Sequence, residues 1–133
     1  MANAIYPLWL ESLLQAGASS ALTGTVMATL VDLADYTYSA AHEFIDDVPA
    51  AARVASEALG SKTYAAGVFD AADTTFSAVT GDPCEALVVW IDTGVGGTSR
   101  LVAYYDSGVT GLPVTPNGGD VTVVWNASGI LKI

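Results

Sequence analysis

Short apolar runs alternate with turn-forming residues along most of the chain, and their spacing predicts strands rather than long helices. Residues 86–91 are apolar at every position, which is typical of a strand buried on both faces. Residues 121–126 carry Val121, Val123 and Trp125 at alternate positions, which indicates a strand with one apolar face. The pattern therefore predicts a mainly β fold, an antiparallel β-sandwich of about seven or eight strands with a short N-terminal helix.

Glycine-rich turns separate the predicted strands and favour pairing between neighbours in sequence. Residues 53–59 and 63–69 flank Gly60-Ser61-Lys62, and a turn at Ser128-Gly129 leads from residues 121–126 into the last residues, 130–133. Glycines 94, 96 and 97 predict a hairpin loop between two further strands, 86–91 and 101–105. The β-branched and apolar patterns also predict strands at 25–33 and 74–79.

The N-terminal residues follow a helical pattern instead. Residues 7–16 begin with Pro7, which suits the first position of a helix, and stop before Gly17. This helix could lie on the chain's own core or dock on a neighbouring subunit. Residues 39–47 predict one or two helical turns that begin at Ser39. We expect a single domain over residues 1–133, with a helical segment at 1–20 and the β-sandwich at 21–133.

Large apolar residues in the strongest β runs predict the buried core. They are Phe76, Val88, Trp90, Val102 and Val123.

Charge and composition narrow the class of protein. The 133 residues carry 14 acids and 4 bases, for a net charge of -10, which repels phosphate backbones and argues against a nucleic-acid partner. We also expect no membrane association, because no apolar run reaches 18 residues and no signal peptide is evident. Only 14% of the residues are charged, which suggests that other chains cover part of the apolar surface.

Catalytic and metal chemistry find little support. One cysteine and one histidine cannot form a zinc or iron–sulfur site within one chain, nor an intrachain disulfide. Ser39, His42 and Asp46 supply the residue types of a hydrolase triad, and His42 adjoins Glu43, but no Gly-x-Ser-x-Gly motif is present. We therefore expect no enzymatic activity, no cofactor and no metal.

The remaining polar residues fit structural roles. Cys84 has no basic neighbour in sequence that would activate its thiol, and Asn126-Ala127-Ser128 fits the end of a strand better than a glycosylation site. The paired acids fit solvated turns and lack the spacing of a calcium loop. These pairs are Asp46/Asp47, Asp70/Asp73 and Asp82/Glu85.

Two segments are predicted to contact other protein chains. One is the N-terminal segment, and the other is the loop from Gly108 to Asp120, which prolines stiffen. Their candidate interface residues are Ile5, Tyr6, Trp9 and Leu10 in the first segment, and Leu112, Pro113, Val114 and Pro116 in the second.

Four blocks of sequence span most of the chain: residues 30–36, 47–55, 67–76 and 111–120. Together they resemble a family of small proteins encoded among the virion genes of tailed bacteriophages, and the last block is the most specific. The resemblance implies a component of the phage particle and supplies no catalytic residues.

Within this resemblance, the expected function is that of a head decoration, or cement, protein. Such a protein is made in the host cytoplasm, forms a homo-oligomer, here expected to be a trimer, and binds the major capsid protein outside the shell. One predicted interface segment would contact a second copy and the other the capsid. A head–tail connector or tail component is an alternative. A carbohydrate-binding host-adhesion module and, third, an enzyme are alternatives of other classes.

Overall fold

A computed structural model of the chain describes residues 3–9, 25–66 and 68–132. Residues 7–9 are helical, and the rest of the predicted helix lies outside the described residues. Single 3-10 turns occupy Ile45–Asp47, Ala50–Ala52 and Gly96–Thr98. The strands in the described ranges are β1 (Ala4–Ile5), β2 (Thr25–Val31), β3 (Arg53–Ala58), β4 (Thr63–Ala65), β5 (Val68–Asp70), β6 (Thr74–Phe76), β7 (Ala86–Asp92), β8 (Leu101–Tyr105), β9 (Val121–Val123) and β10 (Leu131–Lys132).

The largest sheet has the strand order β1-β8-β7-β2-β3, and every neighbouring pair is antiparallel. Strands β2 and β7 form its centre and pair along seven residues each, from Thr25 opposite Asp92 to Val31 opposite Ala86. Both strands are rich in β-branched residues, which suit a pleated sheet, and most of their side chains are buried. The prediction of a mainly β, antiparallel fold is confirmed.

Two smaller sheets and a long loop pack around this sheet. The smaller sheets have the orders β10-β5-β4 and β6-β9. Tyr105 of β8 contacts Trp125, which follows β9, and its hydroxyl donates a hydrogen bond to the Ile130 carbonyl just before β10. The adjacent Tyr104 contacts Tyr36 and Tyr38 in the loop that follows β2. Since neighbouring residues of a strand face opposite ways, both faces of the large sheet are covered.

One of the three predicted hairpins is confirmed, and two are wrong. The glycine-rich turn after residue 92 does join the antiparallel pair β7 and β8. However, β3 pairs with β2 rather than β4, and the last strand β10 pairs with β5 while β9 pairs with β6. A turn signal indicates that the chain changes direction, but the partner of a strand is decided by burial against distant residues.

Several predicted elements end earlier than expected because of local backbone conformation. Ala66 has a φ of 52°, so the predicted strand 63–69 is instead the hairpin of β4 and β5. Ala78 has a φ of 49°, and the predicted strand 74–79 stops at Phe76. Ser39 accepts a hydrogen bond from the Ala41 N–H in a turn, and only Ile45–Asp47 forms a 3-10 turn.

Four of the five predicted core residues are buried: Phe76, Val88, Val102 and Val123. Trp90 is the exception, because it is only partly buried and packs at the margin of the core. Its indole Nε1 donates a hydrogen bond to Thr29 Oγ1 at 2.8 Å, and Thr29 Oγ1 lies 2.7 Å from Ser56 Oγ. Thr29 is fully buried. Its hydroxyl provides the acceptor that the indole N–H of Trp90 needs when the ring packs against the sheet.

Replacing Thr29 with Val, which has nearly the same shape, should therefore lower the free energy of unfolding by about 1–2 kcal/mol, because the Trp90 N–H loses its acceptor. Ser56→Ala is the matched control, since Ser56 is exposed and its loss leaves the Trp90 bond in place. Urea denaturation measures both variants. Equal stability of Thr29→Val and the parent protein would contradict the role given to this hydrogen bond.

Candidate functional site

The residue types of a hydrolase triad do not come together. Ser39 Oγ is engaged by the Ala41 N–H, and His42 Nδ1 lies 2.8 Å from the Tyr36 hydroxyl. Asp46 lies against Gly96 on the neighbouring 3-10 turn. Glu43 is also engaged elsewhere, because its carboxylate pairs with Arg100 Nη1 at 2.9 Å. Within the described residues, the hydrogen bonds of Ser39 and His42 therefore run to groups other than each other.

His42 is instead the outer end of a chain of hydrogen bonds that sequence reasoning missed. The hydroxyls of Tyr6 and Tyr36 lie 2.9 Å apart, and the Tyr36 hydroxyl continues to His42 Nδ1. Tyr38 and Tyr104 pack around these groups, with ring centroids 5.1 Å apart for Tyr6 and Tyr38 and 5.3 Å apart for Tyr38 and Tyr104. We refer to Tyr6, Tyr36 and His42 as the Tyr–His relay.

The surroundings of the relay keep its hydroxyls neutral. Burial, followed by the hydrogen bond with Tyr36, raises the pKa of Tyr6 well above its usual value. Burial is also the largest cause of the raised pKa of Tyr36. Burial opposes ionisation of Asp47, but hydrogen bonds from the Glu43 and Phe44 N–H groups, together with the charge of His42, lower its pKa overall. Asp47 is thus a carboxylate whose charge interacts with both the imidazole and the Tyr36 hydroxyl.

Three carboxylates converge elsewhere, on the turn that follows β2. One oxygen from each of Asp32, Asp35 and Asp82 lies within 4.8 Å of the others, and we refer to these residues as the acidic group. They could offer three oxygens to a divalent cation, whereas calcium takes about six to eight. Asp32 Oδ1 already accepts the Ala34 N–H, and the nearby Glu85 accepts the Leu33 N–H. The absence of a metal stays a prediction.

Most of the predicted N-terminal interface is not available at the surface. Tyr6 has no solvent exposure, Trp9 is buried, and Ile5 is partly buried. Strand β1 pairs with β8, and the Tyr6 N–H donates to the Val102 carbonyl. Leu10 lies outside the described residues. Of the two possibilities left open by the sequence, the described part of this segment packs on the chain's own core.

The second predicted interface, residues 108–120, is fixed to the body at three places, and we refer to it as the anchored loop. Backbone bridges join Thr110 to Val124 and Val114 to Cys84, and Val79 exchanges hydrogen bonds with Gly118 and Gly119.

Along residues 111–116 of the anchored loop, exposed side chains or glycine alternate with partly buried side chains. Leu112 and Val114 are partly buried against the core, Pro113 is exposed, and Pro116 is partly exposed. The loop thus presents a defined surface, as the sequence predicts, although its apolar side chains partly face inward.

The anchored loop lies beside the acidic group. Cys84, which pairs with Val114, follows Asp82 by two residues. Burial, followed by the negative charges of Glu85, Asp32 and Asp82, raises the pKa of the Cys84 thiol to about 11. The same surface therefore combines a rigid, partly apolar loop with carboxylates that no described cation neutralises within salt-bridge distance.

A cleft of about 320 Å³ opens between the turn after β8 and the segment before β10. Its aromatic lining residues are Tyr105 and Trp125, but Trp125 is only 6% exposed and the Tyr105 hydroxyl is bonded to Ile130. The Asn3 side chain is already hydrogen-bonded to the backbone of Asp106 and Ser107. Because its rings and several of its polar atoms are already engaged, the cleft gives a glycan little to stack on or bond to.

Comparisons with known proteins add no relative. No protein-family model matches the chain, and no curated protein matches it. In the part of the chain that the structure describes, no helix has the length and apolar character needed to cross a membrane. The function must therefore be argued from the residues and geometry described above.

The environment of Cys84 predicts an unreactive thiol. At pH 8 the folded protein should react with a disulfide reagent roughly 100-fold more slowly than a free thiol of ordinary pKa, because burial and nearby carboxylates disfavour the thiolate. The same protein in denaturant is the control and should react at the ordinary rate. Fast labelling of the folded protein would contradict the burial of Cys84.

Because the anchored loop lies close to β9, we expect that Gly111 cannot be replaced by a residue with a side chain without loss of stability. A Cβ there would lie 2.5 Å from the Thr122 carbonyl oxygen, and the φ of Gly111 is +109°. Gly94 also has a positive φ, +89°, but has open space around it. Gly111→Ala should therefore lower the melting temperature by several degrees more than Gly94→Ala. Equal shifts in thermal unfolding would show that the steric contact does not matter.

Proposed function

We propose that this chain is a structural protein of a tailed-phage virion, and that it decorates the outside of the head by binding the major capsid protein. The proposal rests on one observation, which is that a feature of the sequence and a feature of the structure fall on the same residues. The block of sequence most specific to the phage resemblance, residues 111–120, lies within the anchored loop. If members of this family act by binding a partner, the residues most specific to the family are expected on a fixed, accessible surface of this kind.

The anchored loop has properties that suit a protein-binding surface. Its three attachments hold its shape before binding, so little conformational entropy is lost when a partner docks. Pro113 and Thr115 are exposed between residues that pack inward. The neighbouring acidic group adds negative charge, which favours a basic surface on the capsid.

The alternatives differ in observations that are simple to make. A decoration protein is present in hundreds of copies on each head, whereas a connector or tail protein is present in a multiple of six or twelve. Quantitative mass spectrometry of virions of the phage that encodes the chain distinguishes these two. Absence of the protein from purified virions would overturn the proposal. The engaged side chains of the cleft lend the glycan-binding alternative no specific support.

Charge variants test whether the acidic group takes part. Asp35→Asn with Asp82→Asn should weaken binding to heads that lack the protein several-fold at low salt, and the difference should shrink as salt rises. Both residues are exposed, and removing like charges should not harm the fold. Glu57→Gln with Asp73→Asn is the matched control, because it changes the net charge equally at exposed acids outside the group. Equal binding by both double variants would exclude the acidic group from the contact.

A further inference from the structure

The Tyr–His relay connects the one histidine of the chain to a fully buried hydroxyl. His42 is partly exposed, whereas Tyr36 is nearly buried and Tyr6 has no exposure. Among the described residues, the Tyr6 hydroxyl has no hydrogen-bond partner other than Tyr36. A proton on His42 Nδ1 therefore decides whether the Tyr36 hydroxyl has an acceptor on the imidazole.

With Nδ1 unprotonated, all the donors of the relay are satisfied. Tyr36 donates its hydroxyl proton to Nδ1, and Tyr6 donates to the Tyr36 oxygen. When the imidazole is protonated on both nitrogens, Nδ1–H donates to the Tyr36 oxygen, and the Tyr36 hydroxyl proton loses its acceptor on His42. The relay then has one donor too many, so either the Tyr36 O–H or, if Tyr36 turns to donate to Tyr6, the Tyr6 O–H is left without an acceptor in the core, which is unfavourable.

Charged groups around His42 act on the same equilibrium. Asp47, on the 3-10 turn that follows His42, is a carboxylate whose charge interacts with the imidazole. Glu43 adjoins His42 in sequence, but its carboxylate is paired with Arg100 at the start of β8. Tyr36 is the direct partner and remains neutral.

Tyr6 belongs to a segment that few backbone bonds hold in place. Strand β1 has two residue pairs with β8, and one further bond joins the Tyr6 N–H to the Val102 carbonyl. The Asn3 side chain adds hydrogen bonds to Asp106 and Ser107, and the buried side chains of Tyr6 and Trp9 pack residues 3–9 on the core. We propose that the Tyr–His relay is a pH-sensitive latch, in which protonation of His42 loosens this N-terminal segment and exposes Tyr6. The latch does not depend on the proposed phage function.

The position of the proton can be measured directly on the parent protein. Because the chain has one histidine, the ¹⁵N chemical shifts of a single imidazole report its state without ambiguity. At neutral pH we expect the proton on Nε2, with Nδ1 bare. A neutral imidazole protonated on Nδ1 would overturn the proposal, because the relay would then already have one tyrosine O–H without an acceptor at neutral pH.

Hydrogen exchange tests the release. Between about pH 7.5 and pH 5.5, the range in which histidine ordinarily gains a proton, the protection factor of the Tyr6 amide should fall at least about tenfold. The amides of β2 that bond to β7 are the internal reference and should change little. His42→Asn keeps an acceptor near the position of Nδ1 but does not titrate, so it should keep Tyr6 protected at both values of pH.

Tyr36→Phe provides the opposite control. It cuts the relay, so Tyr6 should be poorly protected at both values of pH and the pH dependence should disappear. An unchanged protection factor in the parent protein on acidification would overturn the latch. An equal fall in His42→Asn would do so as well, since it would assign the effect to the carboxylates. If neither variant folds, the ¹⁵N measurement and the exchange of the parent protein still decide the question.

Discussion

Strands β2 and β7 lie at the centre of the large sheet and are buried on both faces. The rest of the chain must therefore cover both faces of this sheet. A sheet with two apolar faces needs two covering layers. In the described residues, the layers come from short strands and from the loop between β2 and β3 rather than from long helices. Tyrosines supply much of the apolar area of that loop, and each buried hydroxyl then needs a partner. The Tyr–His relay follows from this requirement.

The sequence predicts those strands whose signal is contained in their own residues. The apolar run of β7, the β-branched run of β2 and the glycines before β8 each predict an element that the structure contains. The pairings of β3 with β2 and of β10 with β5 could not be predicted in this way. They depend on contacts between residues far apart in the chain, and the turn residues near them are compatible with several partners.

Trp90 shows the limit of predicting burial from residue type. It lies in the most apolar run of the chain, yet its indole N–H needs an acceptor, and Thr29 provides one near the margin of the sheet. The converse holds for Tyr6 and Trp9. The sequence predicts them at an interface because they precede the β pattern, and in the structure both are buried, next to the two-residue strand β1. Neither outcome is encoded in a local pattern.

The candidate sites were predictable to different degrees for the same reason. The prolines and glycines of the anchored loop indicate a stiff connection, but its attachments to Val124, Cys84 and Val79 are long-range. The relay joins Tyr6 to Tyr36 across 30 positions, and the acidic group joins a turn after β2 to Asp82. In each case the sequence shows which residue types are present, but it does not show which of them lie close together in the folded chain.

The two segments first considered as interfaces therefore differ in how they are held. The anchored loop is fixed at three places by backbone bonds, none of which involves a titratable side chain. The N-terminal segment is fixed by a two-residue strand, by the side-chain bonds of Asn3 and by the Tyr6 hydroxyl, whose hydrogen bonds lead to a histidine. A constant contact is best made by the first kind of surface, because its attachments do not involve the relay. A contact made through Tyr6 would instead require release of the segment, and its strength would be reduced by the fraction of molecules in which the latch is closed.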